Sequence, residues 1–285
     1  MSILPTAPHA PNVRMSSKTF LIFSAPGVGK THLAATFPKV LFLPTEPGTE
    51  EMHVAATDEI TSWQDFLMYV QALGHESHPY ETIAVDTVGR LYSTCHDHVC
   101  TLNSWDDVDD GKHGRGWRKV KDEWERGMSQ LRTLKNADGR KLCVLLLDHE
   151  RADSITVQRG AKVTDTGRKL LTSALPGAGR RILNGMVQHI FRLYIGDDGA
   201  RVLRTQPIRG QGAEDVESKS RGPAGRALPA TIDIGNEGDA FRRLATTWAR
   251  TFGGDDLPGW VPPKRKARRA SSNDSNSSGK AASEA

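Results

Sequence analysis

SAPGVGKT, at Ser24–Thr31, follows the apolar run TFLIF at Thr19–Phe23 and opens a helix-favouring run at Thr31–Phe37. This order of strand, glycine turn and helix is the context that a phosphate-binding P-loop requires. Gly27 and Gly29 allow the backbone to wrap closely around phosphate oxygens, where a Cβ would intrude. The N-terminus of the helix points unpaired N–H groups at the same anion. The sequence therefore predicts a nucleotide-phosphate site at this turn.

The residues of the motif have separate expected roles. Lys30 is expected to reach the β- and γ-phosphates, and the Thr31 hydroxyl to ligate Mg²⁺. Ser24 departs from the pattern G-x-x-x-x-G-K-[ST], which has a glycine at that position. The cofactors implied are ATP and Mg²⁺. The predicted nucleotide-binding residues are Ser24, Ala25, Pro26, Gly27, Val28, Gly29, Lys30, Thr31 and His32.

Length and composition fit one large α/β domain with additional tails. The chain has 285 residues, 37% of them hydrophobic, and a mean hydropathy of −0.48. No apolar run approaches the roughly 20 residues that a membrane span needs, so no membrane association is expected. Cys95, Cys100 and Cys143 cannot all pair within one chain, which favours reduced thiols and a cytoplasmic protein.

The excess positive charge lies at one end of the chain. The net charge is +4, and residues 264–285 hold six basic and two acidic side chains, so six minus two accounts for all of it. Residues 254–285 are rich in Pro, Ser and charge, and are predicted to form a disordered basic tail. Residues 1–16 are predicted to be a flexible arm, which leaves residues 17–253 as the folded domain.

Short apolar runs alternate with helical stretches in that domain. Strands are predicted at Thr19–Phe23, Val40–Leu43, Thr82–Val85, Leu142–Leu147, His189–Ile195 and Arg201–Thr205. Helices are predicted at Thr31–Phe37, Ser62–Leu73, Val88–Val99, Val120–Leu134 and Phe241–Phe252. Continuous apolar strands separated by helices indicate a mostly parallel sheet with helices on both faces. The predicted fold class is an α/β P-loop NTPase core, with its site at the carboxyl edge of the sheet.

Carboxylates follow two of the predicted strands. Asp86 ends the strand Thr82–Val85 in a Walker B pattern, which places its carboxylate in the Mg²⁺ shell opposite Thr31. Glu46 follows Val40–Leu43 and is expected beside the γ-phosphate, where it would orient and deprotonate the attacking water. The plainer alternatives are an ordinary strand-end aspartate and a solvated loop glutamate.

The strand Leu142–Leu147 ends in Asp148, His149 and Glu150. We expect His149 to contact the γ-phosphate and to report its loss to the segment that follows. A surface histidine is the alternative, and Asp148 or Glu150 could be a second acid that orients water.

The order of these features resembles the RecA-like ATPases. It is most similar to the small phage-encoded members grouped as a RecA-like AAA-type family, which includes the Sak-type single-strand annealing and recombination proteins. A strand pair leads into a K-x-R motif in that family, and the matching segment here is Arg201–Ile208 followed by Lys219-Ser220-Arg221. The resemblance covers about residues 18–235 and implies a RecA-like ATPase core that binds single-stranded DNA.

The same resemblance implies a homo-oligomer, either a ring or a filament, whose sites lie between subunits. Lys219 and Arg221 would then reach the γ-phosphate held by a neighbouring subunit, with Arg221 acting as an arginine finger. A basic turn on the surface is the alternative. A single-strand-binding protein is a further expected partner.

Two basic segments are predicted to be glycine-rich loops that bind DNA. Asp110–Lys121 combines cations with Trp117, and Arg151–Arg181 carries several more. Cations that neutralise phosphates and an aromatic ring that stacks on a base are the combination that single-strand binders use. Core packing of Trp117 and a solvated interface loop are the alternatives. The predicted DNA contacts are Lys112, Arg115, Trp117, Arg118, Lys119, Arg159, Lys162, Arg168 and Lys169.

Three functions fit these observations. The first is an ATP-dependent, single-stranded-DNA-binding recombination or annealing protein. The second is a P-loop ATPase that acts on a protein partner, as helicase loaders do. The third is a nucleotide-gated binding module with little turnover. Stimulation of ATP hydrolysis by single-stranded DNA distinguishes the first from the other two.

Overall fold

The computed structural model describes residues 7–160, 162–210, 212–236 and 238–253. The predicted basic tail, 254–285, and residues 1–6 of the predicted arm lie outside this set. The end of the arm packs against the domain: Met15 is buried, and Trp248 Nε1 donates to the Val13 carbonyl at 2.7 Å.

The domain is built on one long sheet. Its strands in chain order are β1 (Thr19–Ser24), β2 (Val40–Pro44), β3 (Ala55–Ala56), β4 (Thr82–Asp86), β5 (Cys143–Arg159), β6 (Lys162–Ser173), β7 (His189–Ile195), β8 (Arg201–Arg204), β9 (Glu214–Val216), β10 (Lys219–Ser220) and β11 (Thr231–Asp233). The spatial order is β11-β8-β7-β1-β5-β4-β2-β3, and the strands from β7 to β3 are parallel. The strands β8, β10 and β11 add antiparallel pairs at the β7 side.

Helices cover both faces of the sheet. They are α1 (Lys30–Ala35), α2 (Trp63–His75), α3 (Val88–Leu102), α4 (Arg115–Thr133), α5 (Gly177–Met186) and α6 (Ala240–Phe252). The helices α1 and α6 pack on one face, and α2, α3, α4 and α5 contribute to the core on the other. All six residues of β1 are buried, as expected for a central strand of a parallel sheet that is covered twice.

The predicted fold class is confirmed: the domain has a mostly parallel α/β sheet with helices on both faces and a P-loop NTPase arrangement. Most predicted elements agree with the structure to within a few residues. The helix predicted at Val120–Leu134 begins earlier, at Arg115. The sequence analysis did not predict the helix α5 or the short strands β3, β9, β10 and β11. Of these strands, β9 pairs in parallel with β6, and β10 and β11 pair in antiparallel register with β7 and β8.

The segment predicted as the loop Arg151–Arg181 is not a loop, so that prediction is wrong. The strand β5 passes the carboxyl edge and continues to Arg159, and β6 pairs back along it in antiparallel register from Lys162 to Ser173. The helix α5 follows. Prediction failed here because the apolar run stops at Leu147, whereas the hydrogen bonding of the strand does not.

No helix within the described ranges is both long enough and apolar enough to cross a bilayer. Cys95, Cys100 and Cys143 are buried and form no disulfide.

Candidate nucleotide-binding site

The glycine turn between β1 and α1 has the backbone geometry that the motif predicts. Gly27 and Gly29 lie at φ values of +76° and +104°, a region that residues with a Cβ rarely adopt. Gly29 is also crowded, because a Cβ there would lie 2.9 Å from Nε of Arg201. Ala25 and Pro26 are exposed at the tip of the turn, Val28 is buried, and His32 is exposed on the first turn of α1.

Lys30 is the buried cation of the site, with a relative exposure of 7%. Its Nζ donates to Oγ of Ser24 at 3.3 Å, and that hydroxyl donates to the Ala25 carbonyl at 2.8 Å. The residue that departs from the motif therefore supplies a hydroxyl that holds the lysine head. Burial lowers the pKa of Lys30, and the carboxylates of Asp86, Asp148, Glu46 and Glu150 oppose that shift.

Thr31 and Asp86 face each other across the start of α1. The Thr31 hydroxyl donates to Oδ2 of Asp86 at 2.7 Å. Burial raises the pKa of Asp86, whereas the Thr31 hydrogen bond and the Lys30 charge lower it. A hydroxyl and a carboxylate beside a positive-φ glycine turn are oxygen ligands that Mg²⁺ prefers, so these residues fit a nucleotide-bound Mg²⁺.

Glu46 and His149 meet above Asp86. The His149 Nε2 and Glu46 Oε1 atoms lie 3.0 Å apart, although β4 lies between β5, which contains His149, and β2, which precedes Glu46. The register explains this approach: Asp86, the last residue of β4, pairs with Pro44 and Leu147, so residues 46 and 149 both extend two positions beyond it. The structure thus brings together the two residues that the sequence assigned to the γ-phosphate.

Thr45 fixes the chain immediately before Glu46. Its backbone N–H donates to the Asp86 carbonyl at 2.7 Å, and its hydroxyl donates to the Thr87 carbonyl at 2.9 Å. The same hydroxyl accepts from the Thr87 N–H at 2.8 Å. Thr45 is 2% exposed, so these bonds are shielded from water. Glu46 is consequently held in register with the Walker B aspartate.

The Asp148 carboxylate is hydrogen-bonded on the face of the sheet opposite α1. It accepts hydrogen bonds from the backbone N–H groups of Leu175 at 2.9 Å and Gly89 at 3.2 Å, and from the Ser173 hydroxyl. Burial raises the pKa of this carboxyl. These bonds connect β5 to α3 and to the segment before α5, a structural role that leaves no free oxygen for orienting water.

The Glu150 carboxylate is also paired, in this case with an arginine. Its two carboxylate oxygens accept from Nε and Nη2 of Arg192 on β7, at 2.6 and 3.2 Å. Glu46, with about a third of its side chain exposed, is therefore the carboxylate best placed to meet a water molecule.

Arg201 contacts the P-loop, a contact that the sequence analysis did not predict. Its Nε donates to the Val28 carbonyl at 2.8 Å, and its Nη1 donates to the Asn236 carbonyl at 3.2 Å. The guanidinium thereby connects the P-loop to β8 and to the turn after β11. No local pattern reveals this contact, because it depends on how the β7–β8 hairpin folds back toward the P-loop.

Lys219 and Arg221 do not approach the P-loop of their own chain. Lys219 and Ser220 in β10 pair with Ile190 and His189, at the amino end of β7. The P-loop lies at the carboxyl edge, beyond the other end of the neighbouring parallel strand. The Lys219 amino group donates to the Asn184 carbonyl, and burial and the nearby Arg221 lower its pKa.

The first predicted DNA loop is also largely helical, so its description as a loop is wrong. Arg115, Trp117, Arg118 and Lys119 belong to α4, and only Lys112 precedes it. The Trp117 indole donates to Asp109 at 2.8 Å, and the Lys119 amino group lies 5.2 Å from the centre of the Trp105 ring.

The cations of the β5–β6 hairpin are mostly paired with acids. Arg151 pairs with Asp153, which also binds Arg180 of α5, and Arg168 contacts Asp215. Lys169 donates to the Ser154 hydroxyl at 2.8 Å. The side chains of Arg159 and Lys162 lie outside what the structure describes.

Comparisons with known proteins agree with this geometry. The chain is similar to the SPbeta prophage-derived uncharacterized protein YorG of Bacillus subtilis (strain 168), with 28% identity over 117 residues. That match covers 39% of this chain and 36% of the relative, so the chain spans about a third of the length of the curated relative that it matches. The family model described as AAA domain matches residues 16–216. The match covers well over half of the chain and includes the P-loop, Glu46, Asp86 and His149, and the protein therefore belongs to the AAA domain family of P-loop ATPases.

Proposed function

We propose that this protein is a magnesium-dependent ATPase. The observation that carries the proposal is the contact between Glu46 Oε1 and His149 Nε2, 3.0 Å apart, at the edge of the sheet where Asp86 bonds to Thr31 and Lys30 is buried. The residues proposed as general base, phosphate-binding lysine and Mg²⁺ ligands thus lie at one end of the sheet, on the face that carries α1.

Each residue has a distinct role in hydrolysis. Gly27, Gly29 and the N-terminus of α1 bind phosphate through backbone N–H groups, and Lys30 neutralises the β- and γ-phosphates. Thr31 and Asp86 would hold Mg²⁺, which when bound neutralises the charge that develops on the phosphate oxygens. Glu46 accepts the proton of the attacking water, and His149 orients its carboxylate.

We further propose that the ATPase binds single-stranded DNA and acts in phage recombination or annealing as a homo-oligomer. The similarity to a prophage-derived protein and the resemblance to Sak-type ATPases support this proposal. The position of Lys219 and Arg221 also supports it, because cations at the amino edge cannot serve their own P-loop and would be available to a neighbouring subunit.

The test is phosphate release from ATP with and without single-stranded DNA. We expect hydrolysis that single-stranded DNA stimulates and that requires Mg²⁺. Hydrolysis that responds only to a helicase or another protein would favour an ATPase acting on a protein partner. Tight ATP binding without turnover under either condition would favour the nucleotide-gated binding module.

A further inference from the structure

The helices α4 and α5 border an open groove on the face of the sheet opposite α1. The groove has a volume of about 680 Å³, within the range of about 300–1,000 Å³ that is usual for ligand sites. It is separate from the P-loop, because its walls belong to helices that pack on the other face. Nothing in the proposed ATP chemistry uses it.

The groove is lined by more cations than acids. Lys121 and Arg132 of α4 and Arg181 of α5 line it, and Glu125 is its carboxylate. Lys121 and Arg181 are exposed and make no hydrogen bond or ion pair with another described residue. Arg132 instead donates from Nη1 to the Met186 carbonyl at 3.3 Å, which fixes one wall. Two cations therefore remain available to an anionic ligand.

A partly exposed aromatic ring, Trp117, lies on α4 one helical turn before Lys121 and outside the lining of the groove. Trp117 precedes Lys121 by four residues, which places both on adjacent turns of one helix face. Trp117 is 43% exposed; its ring packs against His96 of α3, with the ring centres 5.8 Å apart, and its indole N–H donates to Asp109 at 2.8 Å. Arg118, three residues before Lys121, is exposed on the same part of the helix. An exposed ring next to unpaired cations is the combination that binds single-stranded nucleic acid.

One lining residue, an exposed glycine, leaves open space beside it. Gly185 lines the groove, and a Cβ added there would meet no atom within 4 Å. Ile182 and Met186 add apolar surface beside the cations. A sugar–phosphate backbone, which alternates charged and apolar groups, is complementary to these cationic and apolar side chains. The C-terminal tail of the chain is not complementary to the groove, because the tail and the groove are both basic.

We propose that the groove between α4 and α5 binds the phosphates of single-stranded DNA, with Trp117, one helical turn before Lys121, stacking on a base beyond the groove. The proposal rests on the DNA-binding part of the proposed function, and it moves the contact surface from the β5–β6 hairpin to these two helices. The paired state of Arg151 and Arg168 supports the move, since a phosphate at the hairpin would have to displace a carboxylate.

The test uses a fluorescein-labelled oligo(dT) and the full-length protein, with anisotropy measured over a salt series. Gly185→Glu adds a carboxylate where there is space for it, and we expect binding at low salt to weaken roughly tenfold. Arg181→Ala is expected to flatten the slope of log K against log salt by about 0.7, the value for one lost phosphate contact on a single strand.

Two control variants test whether a loss of DNA binding comes from the added charge, from the added volume or from the position of the substitution. Gly185→Ala adds volume without charge and is expected to bind like the wild type. Gly238→Glu introduces the same charge before α6, at another glycine where a Cβ meets nothing within 4 Å, and is also expected to leave binding unchanged. ATP affinity, measured in parallel, should be equal in all variants.

Two results would overturn the proposal alone. The first is wild-type affinity and salt slope in both Gly185→Glu and Arg181→Ala. The second is wild-type binding of oligo(dT) by Gly185→Glu together with weakened binding of a labelled oligoglutamate by the same variant, which would assign the groove to an acidic peptide. A wild-type protein that hydrolyses ATP but binds no oligo(dT) would overturn this proposal together with the DNA-binding part of the proposed function, and would leave the ATPase part standing.

Discussion

The carboxyl edge of the sheet and the groove between α4 and α5 differ in how exposed their cations are and in how many carboxylates surround them. At the carboxyl edge one lysine is 7% exposed and lies among four carboxylates. In the groove the cations Lys121 and Arg181 are exposed and face a single carboxylate. The first arrangement suits a phosphate that arrives with a metal ion, because the metal offsets the surplus of carboxylates. The second suits a polyanion that brings only small counterions.

This difference predicts different responses to salt. Exposed charges are screened over about 8–10 Å at ordinary ionic strength, whereas buried charges are screened much less. Nucleotide binding at Lys30 should therefore depend weakly on salt, and binding in the groove should depend on it strongly. The predictions below test each side of the comparison, beginning with the largest expected effect.

Replacing Lys30 with alanine should affect both affinity and turnover. The ammonium group makes charge-assisted bonds to phosphate that contribute about 1.5–3 kcal/mol each, so ATP affinity should fall roughly 100-fold and hydrolysis should be lost with it. The melting temperature without nucleotide is the control, and it should change little because burial already disfavours the charged lysine. Unchanged ATP affinity would show that phosphate binds elsewhere.

Glu46→Gln should lower the rate of hydrolysis by about 10²–10⁴-fold and leave ATP binding intact, because general-base catalysis is typically of that size. Glu150→Gln is the matched control at the same edge. Its carboxylate is held by Arg192, so turnover should remain within a few-fold of wild type. Single-turnover phosphate release measures both variants. The reverse pattern would assign the base to Glu150.

Arg221→Ala should act on a neighbouring subunit. Mixed with Lys30→Ala protein, it should recover part of the hydrolysis that each variant lacks alone, because one subunit supplies an intact P-loop and its neighbour an intact arginine. Titration of the two proteins against each other, with the oligomeric state checked by light scattering, measures the recovery. Its absence at every ratio, with both proteins oligomeric, would exclude a shared site.

Arg201→Lys should have the smallest effect. A lysine cannot contact the Val28 and Asn236 carbonyls together, and the loss of about one hydrogen bond of roughly 1 kcal/mol should weaken ATP binding about fivefold. Arg204→Lys, in the same strand, is the control and should bind ATP normally. A lower rate of hydrolysis at saturating ATP with unchanged affinity would argue against a positioning role at the P-loop.

The features that the sequence predicted are those that depend on local patterns of residues. Glycines at fixed spacing and carboxylates after apolar strands indicated the P-loop, Asp86 and Glu46, because the ends of parallel strands necessarily meet at one edge. The sequence assigned Glu46 and His149 separately to the γ-phosphate, and their direct contact is explained by the strand register that the structure shows.

The contacts that sequence reasoning missed depend on antiparallel or long-range pairing. Arg201 reaches the P-loop only because β8 folds back beside β7, and the hairpin of β5 and β6 continues past the last apolar residue of the core. The groove has residues from two helices that are about 50 positions apart in the chain. No periodicity within either helix indicates that the other lies beside it.

The most direct test of the central claim is phosphate release from ATP by the wild-type protein, with and without Mg²⁺. The carboxyl edge, with Thr31 and Asp86 2.7 Å apart and Glu46 above them, predicts hydrolysis that is present with Mg²⁺, absent after chelation and restored when Mg²⁺ is returned. ATP hydrolysis that persists unchanged after complete removal of the metal, or no hydrolysis at any Mg²⁺ concentration despite bound ATP, would contradict this assignment.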